Sequence, residues 1–206
     1  MKLTTFFFFL FSIFIIGCNS STNNKKKITA IKIRTIDSTV TVHKDSLVLN
    51  GNEGNWYYKN KLFNGFAVKY HSNDSLKEKT GFYNGKKEGV YNVWFKNGVL
   101  KVTSHYNQNV MEGSYKSWWL NETLAYEATY KKGKLEGIER QWYADGVMSK
   151  ERNLLKGNEN GLQRAWLQNG KIYVNYEAKN GRTFGMKRAN LCYQLKDEKI
   201  EENKEL

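Results

Sequence analysis

Four cations stand at a fixed interval in this chain: Lys116, Arg140, Arg164 and Arg188 are each 24 residues apart. Two residues after the first three come Trp118, Trp142 and Trp166, and Trp94 holds the same place one interval earlier, beside Asn92. Residues two apart on a β-strand share a face. Equivalent strands of successive hairpins lie two strand spacings, roughly 10 Å, apart. This spacing makes a ladder of cation beside indole, suited to anionic or sugar-like polymers through charge, stacking and cation–π contacts of about 0.5 to 2 kcal/mol each. The same residues suit a second arrangement, in which the tryptophans are the packed core of a repeat and the basic side chains lie over them with their heads in water. Both stay open on spacing alone. The ladder expects that Arg140→Glu with Arg164→Glu abolishes anionic binding and leaves the fold intact.

Other residue patterns exclude more than they assign. Glu88, Glu112 and Glu136 recur just before a glycine, but carboxylates roughly 10 Å apart cannot share a proton and are too distant for an inverting glycosidase pair. They are expected as turn residues at a hairpin edge. His43, His71 and His105 are scattered without the spacing of a metal pair, and neither a phosphate loop nor a nucleophile elbow occurs. No catalytic, cofactor or metal site is expected, and so no enzyme. Phe95, Trp119 and Tyr143, each six residues after a glycine, put aromatics on the face opposite the tryptophans. One of two aromatic faces must then be only partly covered, which makes a partner surface.

The elements that position these columns come from an internal repeat. Gly65, Gly89, Gly113, Gly137, Gly161 and Gly185 are each 24 residues after the last and bound five whole units. Five residues after each mark stands Tyr70, Trp94, Trp118, Trp142 or Trp166, and eleven after it Leu76, Leu100, Leu124, Met148 or Ile172. Leu100-Lys101-Val102-Thr103-Ser104-His105-Tyr106 alternates with the period of a half-buried strand. Each unit therefore reads as a β-hairpin. A three-residue loop ending in a left-handed glycine, as in Lys96-Asn97-Gly98, sets Trp94 opposite Leu100, Trp142 opposite Met148 and Trp166 opposite Ile172. Where that glycine is replaced, by Asp74 and Glu122, a looser turn or another type is expected.

Composition agrees. The chain has 206 residues with 17 Gly, 13 Tyr, 11 Phe, 6 Trp and no Pro, so collagen-like and proline-rich architectures are excluded in favour of many strands and turns. Its two cysteines cannot staple a chain of this size. The fold class expected is all-β: an elongated single-layer antiparallel sheet of consecutive hairpins over residues 65–184. Residues 28–64 supply N-terminal cap strands, Val40-Thr41-Val42 and Leu47-Val48-Leu49 among them, and a partial repeat at Trp56 to Gly65. Residues 185–206 supply a C-terminal cap and an acidic tail, read as solvated or a short frayed helix.

Gly89…Trp94-Phe95-Lys96-Asn97-Gly98-Val99-Leu100…Tyr106…Gly113, with Gly137…Trp142-Tyr143-Ala144-Asp145-Gly146-Val147-Met148…Lys156-Gly157, resembles the MORN repeat in its bacterial variant, the YwqK-like "antitoxin" proteins. The resemblance implies a row of antiparallel hairpins used for binding and scaffolding, without a shared catalytic site. Gly54-Asn55-Trp56-Tyr57-Tyr58 resembles choline-binding repeats instead, which would imply a carbohydrate- or choline-type module using exposed aromatic cages.

Lys2 followed by an apolar run from Phe6 to Ile16 reads as a signal peptide over residues 1–17, because eleven helical residues cover only about 16 Å of a bilayer that needs about 20 residues. Ile15-Ile16-Gly17-Cys18 resembles a bacterial lipobox, which implies cleavage before Cys18 and acylation of that cysteine with palmitate-type lipid. Residues 18–27 then form a polar tether. The expected location is the extracytoplasmic face of a bacterial envelope, on the outer membrane, with anionic lipid, glycan or another envelope protein as partner. Cys192 is left as the lone thiol, expected as a small core hydrophobe. The formal charge of +13 also raises nucleic acid, but export and the lack of a recognition motif exclude it.

Overall fold

The computed structural model describes residues 34–186, 193–196 and 199–202. Residues 1–27, read above as signal and tether, lie outside the described residues with Cys18, Arg188 and Cys192. After an extended segment come β1 (Thr41–His43), one 3-10 turn (Lys44–Ser46), β2 (Val48–Asn50), β3 (Asn55–Tyr58) and β4 (Lys61–Leu62). The repeats follow as β5 (Gly65–Tyr70), β6 (Leu76–Tyr83), β7 (Lys86–Trp94), β8 (Leu100–Asn107), β9 (Val110–Trp118) and β10 (Leu124–Lys131). Then come β11 (Lys134–Leu135), β12 (Gly137–Trp142), β13 (Met148–Leu155), β14 (Asn158–Trp166), β15 (Ile172–Lys179) and β16 (Arg182–Met186), and lastly β17 (Tyr193–Lys196) and β18 (Lys199–Glu202).

One 13-stranded sheet runs in chain order from β5 to β16, each strand antiparallel to the next, with β1 added parallel to β5 at the edge and β11 pairing β10 off the main path. This is the all-β sheet of consecutive hairpins expected from the repeat. The register agrees residue for residue: Trp94 faces Leu100, Trp118 faces Leu124, Trp142 faces Met148 and Trp166 faces Ile172. In the loop between β7 and β8 the Phe95 N–H donates to Val99 O at 2.8 Å and the Gly98 N–H to Phe95 O at 2.9 Å, with Gly98 at φ 86°. The loop thus has three residues and a left-handed glycine.

Asp74 and Glu122 depart from expectation. Both keep the same turn: the Trp119 N–H donates to Thr123 O at 2.8 Å and the Glu122 N–H to Trp119 O at 3.0 Å, as His71, Ser75 and Asp74 do in the first repeat. The residues take the left-handed conformation themselves, at φ 61° and 65°. Pairing of the flanking strands dictates the loop and overrides the residue's preference.

A second kind of turn joins one repeat to the next. Asn84-Gly85, Gln108-Asn109, Lys132-Gly133, Lys156-Gly157 and Asn180-Gly181 all have two successive positive φ values, the pattern of a type I′ hairpin. The glutamates before the repeat glycines hold these turns. Glu88, Glu112 and Glu136 accept the backbone N–H of Gln108, Lys132 and Lys156 at 2.9, 2.6 and 2.8 Å, each from the turn 20 residues on. At the opposite strand ends the stitches span 23 residues: the Trp119 indole donates to Trp142 O at 3.0 Å, and the Tyr143 hydroxyl to Trp166 O at 3.0 Å.

The N-terminal strands do more than cover an edge. β2, β3 and β4 form a separate three-stranded sheet, so the partial repeat at Trp56 does not extend the main sheet. This small sheet packs against the first hairpin, where Leu47, Phe63, Ala67 and Phe82 are buried together with Trp56 and Tyr58 around them. Gly85 permits the approach, since a Cβ there would stand 2.8 Å from Leu62 and 3.1 Å from Trp56 O. The tail, expected solvated or helical, instead contributes Lys199–Glu202 as a strand paired with Tyr193–Lys196.

Candidate functional site

The sheet's two faces differ in chemistry. Along one face the directly opposed residues are Asn92, Thr103, Lys116, Glu127, Arg140, Glu151, Arg164 and Asn175. The structure therefore brings three of the four candidate cations into one row, but with carboxylates between them. Lys116 Nζ lies 3.7 Å from Glu127, Arg140 donates to Glu127 at 3.0 Å and to Glu151 at 2.9 Å, and Arg164 Nη2 donates to Glu151. Burial pushes the Glu151 carboxyl up, but the hydrogen bonds and charges of Arg164 and Arg140 outweigh it and hold the group below its usual value. Two acids that the column spacing alone left out, Glu127 and Glu151, thus answer most of the basic charge.

The tryptophans stand beside this row, neither buried nor open. Trp94, Trp118, Trp142 and Trp166 are all half-buried, and the Arg164 guanidinium lies 5.4 Å from the Trp166 ring centroid. Fourteen residues after each repeat glycine is the place that faces the cation, and extending the predicted register by one bulged residue leads there. That signal was present in the sequence.

The other face carries tyrosines. Tyr91 and Tyr115 face Ser104 and Ala128, both buried, and this pairing of a ring with a small neighbour leaves room for the rings to lean together. Tyr106 and Tyr130 in turn face the repeat glycines Gly89 and Gly113. Edge-to-face contacts follow: Tyr91 to Tyr106 at 6.0 Å between centroids, and Tyr115 to Tyr126 at 5.4 Å. Burial pushes the Tyr91 phenol up to about 12, and burial with the nearby Glu139 charge pushes Tyr126 up further.

Beyond the part covered by the small sheet, this face holds a hollow of about 640 Å3 lined by Tyr115, Trp119, Tyr126, Tyr130, Trp142 and Tyr143. Ser117, Gln141 and Ser149 contribute polar groups to the same hollow. β9 and β10 set Tyr115, Tyr126 and Tyr130, β12 sets Gln141 and Trp142, and the turns after β9 and β12 set Trp119 and Tyr143. Trp119 is 42% exposed although its indole N–H is held by Trp142 O. Trp119 and Tyr143, each six after a repeat glycine, thus belong to a partly uncovered surface, while Tyr115, Tyr126 and Tyr130 are site residues outside the expected columns.

This arrangement can stack flat ring faces and hydrogen-bond their substituents. Among the described residues, no three His, Cys, Asp or Glu side chains are grouped to hold a metal ion, and no helix is long and apolar enough to cross a membrane. No protein-family model matches the chain, and no curated protein matches its sequence.

Proposed function

We propose that this chain is a non-enzymatic binding module of MORN-type hairpin repeats, held at a bacterial cell envelope by lipid on Cys18, and that it takes a carbohydrate on its tyrosine face. The hollow of about 640 Å3 with its Trp119, Tyr115, Tyr126 and Tyr143 lining carries the reading. Sugar rings offer apolar C–H faces to aromatics and hydroxyls to the Ser117, Gln141 and Ser149 groups beside them. The cation face supports an anionic ligand less, because Lys116, Arg140 and Arg164 share Glu127 and Glu151.

The test titrates the full-length lipoprotein in detergent with short soluble oligosaccharides and with anionic lipid vesicles. Trp119→Ala and Tyr126→Ala are each expected to weaken oligosaccharide binding at least tenfold, about 1.4 kcal/mol, while Lys116→Gln leaves it unchanged. Binding to vesicles alone, lost with Lys116→Gln, would return the ligand to the cation face.

A further inference from the structure

The repeat changes character on the tyrosine face at its fourth unit. Two residues after the repeat glycine stand Ala67, Tyr91 and Tyr115, then Glu139 and Gln163; fifteen after it stand Thr80, Ser104 and Ala128, then Arg152 and Tyr176. These two columns oppose each other directly, so a tyrosine beside a small residue gives way to Glu139 beside Arg152 and Gln163 beside Tyr176. Packing alone does not ask for the exchange, because a buried polar group is costly without partners.

Gln163 is only 2% exposed. Its amide nitrogen donates to Asn153 O at 2.8 Å and to Gly161 O at 3.2 Å, and two acceptors on one side fix which end of the amide is nitrogen. The amide oxygen is left buried with no hydrogen-bond partner among the described residues. Gln163 lines a second hollow, of about 330 Å3, together with Lys150, Arg152, Glu159 and Tyr176. This hollow adjoins the aromatic one: Gln141 lines the first, Lys150 the second, and the two are directly opposed on β12 and β13.

We infer that the second hollow is a further sugar subsite, so that the face reads a linear, uncharged oligosaccharide with one ring over the aromatics and a later ring of the same chain against Lys150 and Gln163. The inference rests on the carbohydrate reading above and adds the ligand's length and charge. Arg152 is already paired with Glu139, to which its Nε donates at 2.9 Å, and Arg164, which also lines the hollow, is paired with Glu151. Lys150 and Glu159 then remain as opposite charges, so no net charge is left to select an ion. What the hollow does present is a donor at Lys150 and acceptors at Gln163 Oε1 and at the Glu159 carboxylate, one oxygen of which already accepts from the Tyr176 hydroxyl at 2.8 Å. Hydroxyls both donate and accept, and match that mixture. Tyr126 and Lys150 are two strands apart, roughly 10 Å, a span that consecutive rings of one chain bridge.

The experiment titrates the full-length lipoprotein in detergent with neutral gluco-, manno- and xylo-oligosaccharides of one to six units, and with a uronate series of the same lengths. Affinity for a neutral series is expected to rise at least tenfold from the single sugar to the longer members, independent of salt. Lys150→Met and Gln163→Met are each expected to remove that rise while leaving the single-sugar affinity and the melting temperature of the Lys150 variant unchanged. Tyr126→Ala is expected to lose both. Binding without length dependence, or a rise that survives Lys150→Met, overturns the second subsite and leaves the aromatic one standing. A preference for the uronate series overturns the uncharged class, and no binding by any series overturns the carbohydrate reading with it.

Discussion

Glu122 occupies a left-handed position that its sister repeats fill with Gly98, Gly146 and Gly170, at φ 86°, 88° and 80°. A non-glycine residue there costs about 1 kcal/mol. Glu122→Gly is therefore expected to raise stability by about that amount in chemical denaturation, and Gly98→Glu to lower it. Glu151 makes a different kind of prediction. Its carboxyl is held below the ordinary glutamate value of 4.5 when folded, so it binds protons less readily than in the unfolded chain. Its contribution is present in full above that value and is lost as pH falls through the folded pKa. Glu151→Gln should lower the melting temperature at neutral pH and flatten its fall below about 4.5. Reversing Arg140 to Glu would set three carboxylates in succession on one row with Glu127 and Glu151, so the fold itself is expected to suffer, contrary to a simple surface ladder.

At the scale of the hairpin, the stitch between neighbours is what distinguishes a repeat sheet from a string of separate hairpins. The Glu112 carboxylate takes the Lys132 N–H, and Glu112→Ala should expose that amide. Faster hydrogen exchange at Lys132 with little change at Lys156 is the expected outcome; equal change at both would mean the hairpins open together. The strand register was legible in the sequence because a three-residue loop pairs the tryptophan and leucine columns, whereas a two-residue loop would set the tryptophans opposite a polar column such as Lys101. The turn at Glu122 was not legible, since the residue's own preference points away from a conformation that the paired strands impose. The tyrosine hollow was half legible. Phe95, Trp119 and Tyr143 signalled an uncovered aromatic face, but Tyr115 and Tyr126 sit in columns that turn to Glu139 and Lys150 later and so fail to read as a repeat feature. The small sheet of β2, β3 and β4 was hidden too, because Trp56 to Leu62 carries the repeat's residues without joining its sheet.

For the molecule as a whole, repeats that touch only their neighbours make stability nearly a sum over units and interfaces. Removing residues 113–136, one full period, is expected to leave a β-rich chain that unfolds cooperatively at a lower temperature, since the junction restores a repeat glycine at Gly137 after Glu112. The same deletion takes away Tyr115, Trp119 and Tyr126 and should abolish oligosaccharide binding; circular dichroism and titration separate the two effects. A chain that fails to fold would show that the third unit does more than repeat the second. The stitches of 20 and 23 residues carry one more consequence, for the order of events in time. Apart from the N-terminal segment, where Arg34 reaches Asn107, each hairpin finds its side-chain partners as soon as the next one has emerged. Loop closures this short make contact order low for an all-β protein, so the sheet can assemble vectorially, from its covered end outward, while the rest of the chain is still being delivered.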